Sequence, residues 1–227
     1  TECSEQISKK NTMIAFSGLD GAGKSTQIDL VAKKYKSLGS KSMVLWARGG
    51  YTPGMKFIKN LFKISKQTSK KESHKRVNSR EKSFSKPIIR KIWLTLSIID
   101  LILLYGFYVR IKEFFGVKII CDRYTYDTLL DFKLNFPLEK VEKWMLWKLL
   151  LIVSVKPKKH FVITIPILES QRRSKLKNEP FPDSKEVLES RLNRYLKYVF
   201  TDKDIIHIDG TNEIEVIHSK IIEKLNL

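Results

Sequence analysis

The sequence predicts an α/β fold in three layers, a five-stranded parallel sheet with helices on both faces. Three observations carry the prediction. Apolar, strand-like runs recur at residues 13–17, 42–47, 117–121, 161–165 and 204–208, and helix-like stretches separate them, as a parallel sheet and its crossovers require. A glycine-rich stretch follows the first run directly and opens a helical pattern. Polar chemistry gathers where runs end: Arg48 after the second, Asp122 and Arg123 after the third, Asp209 after the fifth. Sheets of this kind bind ligands beyond the carboxyl ends of their strands.

Taken in order, the polar residues 1–11 have no apolar signal core and read as a flexible tail, with a start at Thr1 that points to a processed or trimmed chain. Residues 13–17 form the first buried strand. Gly18, Leu19, Asp20, Gly21, Ala22, Gly23, Lys24, Ser25 and Thr26 then match a phosphate-binding loop in full. Its glycines allow a tight turn that points several N–H groups at one spot, and the following helix N-terminus adds partial positive charge. Lys24 can reach outer phosphates, and the Ser25 hydroxyl can ligate a magnesium ion bridging them. Ile28, Leu30, Val31 and Tyr35 mark the apolar side of a helix that runs to about Leu38, with Gly39 as its stop.

The second strand leads to Arg48 and then to a long insertion. Residues 56–91 hold thirteen Lys and Arg against Glu72 and Glu81. The middle of this segment, 67–86, is poor in apolar residues and expected to be mobile. The whole chain carries a net charge of +19, which suits an approach field for anionic substrates or peripheral contact with an acidic membrane face. No nucleic-acid motif accompanies the charge, so nucleic acid is not an expected partner. Residues 92–111 are apolar enough to cross a bilayer by length. Asp100 near their middle, and the strand resuming soon after, favour a buried helix instead.

The apolar strand 117–121 delivers Asp122 to the loop's edge of the sheet, where a carboxylate can organise magnesium. Its neighbour Arg123 offers a forked donor for phosphate oxygens. Residues 138–155, with Val141, Trp144, Met145, Trp147, Leu149 and Leu150, read as a second helical hairpin supplying core or subunit contact. Cys3 and Cys121 sit far apart in unlike settings, which implies neither disulfide nor metal site and fits the cytoplasm. Residues 1–227 read as one domain.

The loop with its internal Asp20, followed by Asp122-Arg123-Tyr124 at a strand end, resembles the thymidylate kinases and their wider thymidylate kinase-like relatives over nearly the whole chain. The resemblance implies ATP and Mg2+, with Lys24 and the loop amides on ATP phosphates and Ser25 and Asp122 at the metal. Arg48 and Arg123 would fix the acceptor phosphate, Asp20 would approach the acceptor's sugar, and Tyr124 and Asp100 would belong to the acceptor site. Asp209-Gly210-Thr211 matches the segment beside adenine, and Tyr195 the tyrosine of the helix after the lid. The loop has no internal arginine, so Arg172 and Arg173, at the start of a lid over 170–183, become the expected source of transition-state charge.

The acceptor side departs from the family. Arg48 is followed by Gly49 and Gly50 instead of Glu-Pro, Asp100 by Leu101 instead of arginine, and residues 125–131 lack the groups that read thymine. The expected activity is phosphoryl transfer from ATP to a nucleoside monophosphate, dTMP first. The alternatives are another phosphorylated small molecule or a lipid-linked acceptor, and a nucleotide-dependent membrane-associated regulatory protein without efficient transfer. The family's pairing through apolar helices implies a homodimer.

Overall fold

A computed structural model describes residues 12–46, 86–177 and 183–227. Arg48, the tail, most of the basic insertion and residues 178–182 of the expected lid lie outside the described residues.

Strands β1 (Ile14–Gly18), β2 (Ser42–Trp46), β3 (Lys118–Asp122), β4 (Lys159–Thr164) and β5 (Ile205–Asp209) form one sheet in the order β2-β3-β1-β4-β5. Every adjacent pair is parallel. Each strand falls within two residues of its expected run. β1, β3 and β5 each end one residue later than expected, with Phe16 level with Asp122, Gly18 with Ile163 and Thr164 with Asp209, whereas β2 and β4 end one residue earlier and β4 starts two residues earlier.

Side chains alternate between two apolar layers, because successive strand residues point to opposite faces. Met13 and Ala15 join Ile119 and Cys121 against helix α2 (Pro87–Phe114) and helix α4 (Met145–Val153). Ile14 and Phe16 join Ile120, Phe161 and Ile163 against α1 (Lys24–Ser37) and α7 (Ile214–Leu225). A third cluster places Leu19, Leu130 and Val162 against α6 (Lys185–Val199) through Leu188 and Tyr195. The sheet is thereby covered on both faces, as its apolar strands demand.

Helix α1 ends where expected. Ser40 N–H donates to Tyr35 O at 2.9 Å and Gly39 N–H to Lys36 O at 3.0 Å, with Gly39 at φ 70°, the paired closure of a left-handed helix end. Helix α2 starts one residue after Lys86 with Pro87 in its first turn, and a π-turn over Leu103–Tyr108 interrupts it. Leu94, Ile98, Leu101, Tyr105 and Val109 are fully buried along one side. Glu113 accepts the N–H groups of Thr12 (2.8 Å) and Met13 (2.9 Å), tying the far end of α2 to the start of β1. The expected buried helix is therefore buried along one face only. Among the described residues, α2 is the one helix long and apolar enough to cross a membrane by length and composition.

The helical hairpin expected over 138–155 does not form. Single 3-10 turns at Pro137–Glu139 and Val141–Lys143 precede α4, and Lys140 between them is left-handed at φ 44°. Trp144 donates its indole N–H to Glu139 O at 2.9 Å, and Arg90 pairs with the Glu139 carboxylate at 2.6 Å. These contacts hold the reversal that a helix could not make. Trp147 and Leu150 of α4 are buried, as core residues should be.

Candidate phosphate-binding site

The glycine-rich loop sits at the carboxyl edge between β1 and α1, beside the ends of β3 and β4. Gly18 leaves the strand at φ +137°, and a Cβ there would fall 1.9 Å from Ile163 O. Only glycine lets β1 and β4 stay paired at this point. Leu19 and Ala22 anchor the loop in the core, and Ala22 N–H closes a turn onto Leu19 O at 3.2 Å. Gly23 caps α1, so Lys24, Ser25 and Thr26 form its first turn, which contains no acidic residue. Ser25 and Thr26 are exposed. Uncapped N–H groups, a helix N-terminus and free hydroxyls thus meet at one place, the arrangement that attracts polyphosphates.

Lys24 is buried over this loop, donating to Gly18 O at 3.1 Å and Leu19 O at 2.7 Å, with Asp20 3.9 Å away. Burial, and then the charge of Arg123, lower its pKa to about 8 against the opposing pull of Asp20, Asp122 and Asp127. An anion arriving at the loop would stabilise this ammonium.

Asp122 closes β3. Its Oδ1 is buried and has no hydrogen-bond partner among the described residues, and burial raises its pKa although Lys24 and Arg123 pull it down. An unsatisfied buried carboxylate oxygen is costly, and water, a proton or a cation can relieve it. No group of three His, Cys, Asp or Glu gathers for a metal among the described residues. Ser25 and Asp122 are the donors that this edge could offer a magnesium ion.

Arg123 is left-handed at φ 74°, a conformation that costs a non-glycine residue about 1–3 kcal/mol and persists where neighbours enforce it. Its N–H donates to Phe16 O at 2.8 Å, and its guanidinium reaches Asp20 at 2.5 Å and Asp127 at 3.8 Å. Asp127 is buried on α3 (Thr125–Asn135). It accepts from Tyr195 OH at 2.7 Å, from Tyr124 N–H at 2.9 Å and from Ser17 Oγ. Ser17 Oγ in turn contacts His160 Nε2 at 2.6 Å. Sequence reasoning missed Ser17, Asp127 and His160, since no spacing links residues that meet only across β1, β4 and α3.

Helix α5 (Ile167–Leu176) covers the loop from the other side. Ser170 Oγ donates to Asp20 O at 2.7 Å. Arg173 donates to Gly21 O at 3.2 Å and Gly210 O at 3.3 Å, and a Cβ on Gly21 would sit 2.9 Å from the Arg173 Cβ. Arg172 points outward at 62% exposure and pairs only with Glu169 among the described residues. Arg172, then Arg173, hold the Glu169 carboxyl down at about 2. Of the two expected lid arginines, the structure brings Arg173 to the loop and leaves Arg172 on the surface. The start of the expected lid is this docked helix.

Other expected residues fall less centrally. Asp209 is exposed and accepts from Thr211 N–H (2.9 Å) and Oγ1 (2.7 Å), which shapes its own turn; that turn meets the loop through Gly210, whose added Cβ would lie 2.8 Å from Ala22 O. Tyr124 is buried, with its hydroxyl given to Val155 O at 2.6 Å and its ring 4.7 Å from Tyr105. Its side chain is engaged in the core. Asp100 is half-buried on α2, whose nearest described link to the site is Tyr105 OH donating to Arg123 O at 3.4 Å.

No protein-family model matches this chain, and no curated protein matches it.

Proposed function

We propose that the chain is an ATP- and magnesium-dependent kinase of the thymidylate kinase-like kind, transferring the γ-phosphoryl group to a phosphate-bearing acceptor. A nucleoside monophosphate is the preferred acceptor, with dTMP the first to test. The observation that carries this reading is the unpartnered, buried Oδ1 of Asp122 at the edge of a glycine-rich loop that already holds the buried Lys24 ammonium. Magnesium, held by Ser25 and Asp122, would neutralise charge on the donor's phosphate oxygens.

Each residue has a distinct task in this reading. The loop N–H groups and Lys24 bind the donor phosphates, while Ser25 and Asp122 hold the metal. Arg123, aimed by Asp20 and Asp127, fixes the acceptor's phosphate. Arg173, held on the Gly21 and Gly210 carbonyls beside the loop, supplies charge to the transferring phosphoryl group in this reading. Such positioning and charge stabilisation supply most of the catalysis in phosphoryl transfer, because the protein has little covalent chemistry to perform.

A phosphorylated small molecule or a lipid-linked phosphate is the second reading for the acceptor, favoured by the altered residues after Arg48 and Asp122. A coupled assay with ATP, magnesium and a panel of monophosphates tests the proposal. Turnover on dTMP or another monophosphate supports it. Absence of turnover on the whole panel, with ATP binding intact, would overturn the nucleoside monophosphate reading.

A further inference from the structure

Helix α2 also carries an exposed apolar face. Ile88, Ile92, Ile99, Leu103, Phe107 and Ile111 are exposed along one line, opposite the buried Leu94, Ile98, Leu101, Tyr105 and Val109. Phe107 alone is 58% exposed. A straight α-helix would rotate positions four residues apart steadily off one face. The wider π-turn at Leu103–Tyr108 offsets that drift, so Leu103, Phe107 and Ile111 stay in register. Helix α4 packs beside it, since a Cβ on Gly106 would sit 3.2 Å from Val153 Cγ2. This neighbour exposes its own Met145, Leu149 and Ile152, the last at 77%. Rows of exposed large apolar side chains on two neighbouring helices mark a candidate interaction surface.

Charge decides between occupants. Lys86 and Lys91 are exposed at the start of α2 and Arg110 near its end, with Lys148 exposed on α4. The only acids within Pro87–Phe114 are Asp100, half-buried, and Glu113, whose carboxylate is taken by Thr12 and Met13. A second copy of a chain with net charge +19 meets a like-charged partner, whereas an anionic lipid surface is complementary. Spanning is excluded by packing: leaving the sheet would strip the fully buried side of α2 from the core. An apolar stripe flanked by Lys and Arg, on a helix fixed lengthwise to a protein, has the design of an interfacial helix lying in the headgroup region.

We infer that α2, extended by the exposed face of α4, is a docking surface for an anionic lipid bilayer. The inference stands independently of the proposed phosphoryl transfer. Because Tyr105 of the same helix donates to Arg123 O, docking would set the loop edge at a fixed orientation to the membrane.

Flotation of the purified chain with phosphatidylcholine vesicles, alone or mixed with phosphatidylglycerol, tests it. The chain floats with the mixed vesicles, and added salt weakens the attachment. The double variant Leu103→Glu/Phe107→Glu, folded by circular dichroism, loses at least about tenfold in partitioning, since both side chains leave the apolar boundary. Val216→Glu, an exposed change on the opposite layer, keeps it, and so does Lys24→Ala, which separates docking from catalysis. Equal flotation of the Leu103→Glu/Phe107→Glu variant and the unmodified chain overturns the inference, as does failure of the unmodified chain to float. A lipid-free dimer that the same double variant dissociates overturns it too, by assigning the face to a second copy.

Discussion

His160 offers a sharp test of the buried polar network behind the candidate site. It lies on β4 at 3% exposure, with Nε2 2.6 Å from Ser17 Oγ and Nδ1 3.2 Å from Tyr198 OH. Ser17 spends its hydroxyl proton on Asp127, so it accepts from His160 Nε2–H, and Nδ1 is left to accept from Tyr198. That assigns a neutral ring. Burial lowers the His160 pKa from 6.5 to about 4, with only partial opposition from the Asp127 charge. The unfolded chain takes up a proton near pH 6.5 while the folded chain does not, so the stabilising contribution is complete above that pH and is lost as pH falls towards 4. One proton changes stability by about 1.4 kcal/mol per pH unit, giving roughly 3 kcal/mol across the window. This is a large share of a typical domain's stability.

Urea unfolding followed by tryptophan fluorescence, at steps from pH 7 to pH 4, measures it for the unmodified chain and for His160→Gln. Carboxylate titrations common to both cancel in the difference. The advantage of the unmodified chain should shrink by roughly 3 kcal/mol between the two ends. A difference that stays constant with pH would refute the neutral, buried histidine and the donor order inferred from it.

Gly18→Ala should prevent cooperative folding or cost more than about 4 kcal/mol, because the new Cβ meets Ile163 O at 1.9 Å on backbone that β4 cannot yield; thermal unfolding near that of the unmodified chain would contradict it. Arg173→Ala should lower kcat by about 10³ or more with a small change in KM, whereas Arg172→Ala, which removes only a surface pair, should change either by less than about threefold. The reverse ranking in steady-state kinetics would reassign the catalytic charge. Binding of a fluorescent ATP analogue should weaken as pH rises past the Lys24 value of about 8, approaching tenfold per pH unit, since the neutral amine loses its attraction to phosphate. A flat profile to pH 10 would show that Lys24 does not serve phosphate.

The sheet was readable because buried parallel strands are written as short apolar runs, and the loop because its glycines are demanded by local geometry. Gly18 illustrates the second point: its neighbour is the backbone of β4, which no side chain could spare. The same locality explains what stayed hidden. Arg172 and Arg173 are adjacent and chemically alike, and only the phase of α5 on the sheet sends one to Gly21 and the other to solvent. Tyr124 follows two site residues in sequence, yet the left-handed turn at Arg123 commits it to the core. Ser17, Asp127 and His160 come from three distant segments, so nothing short of the folded chain joins them. The false hairpin over 138–155 arose from an apolar pattern that did not register the reversal at Lys140.

The central claim is that Lys24 and Asp122 serve one phosphoryl-transfer site. Its most direct measurement is transfer of label from γ-labelled ATP to a panel of monophosphates in the presence of magnesium, run with the unmodified chain, Lys24→Ala and Asp122→Asn. The account predicts a labelled diphosphate from at least one acceptor, lost by a factor of about 10² or more in both variants while each still unfolds cooperatively. Transfer that persists in Lys24→Ala, or no transfer by the unmodified chain to any acceptor, would contradict it.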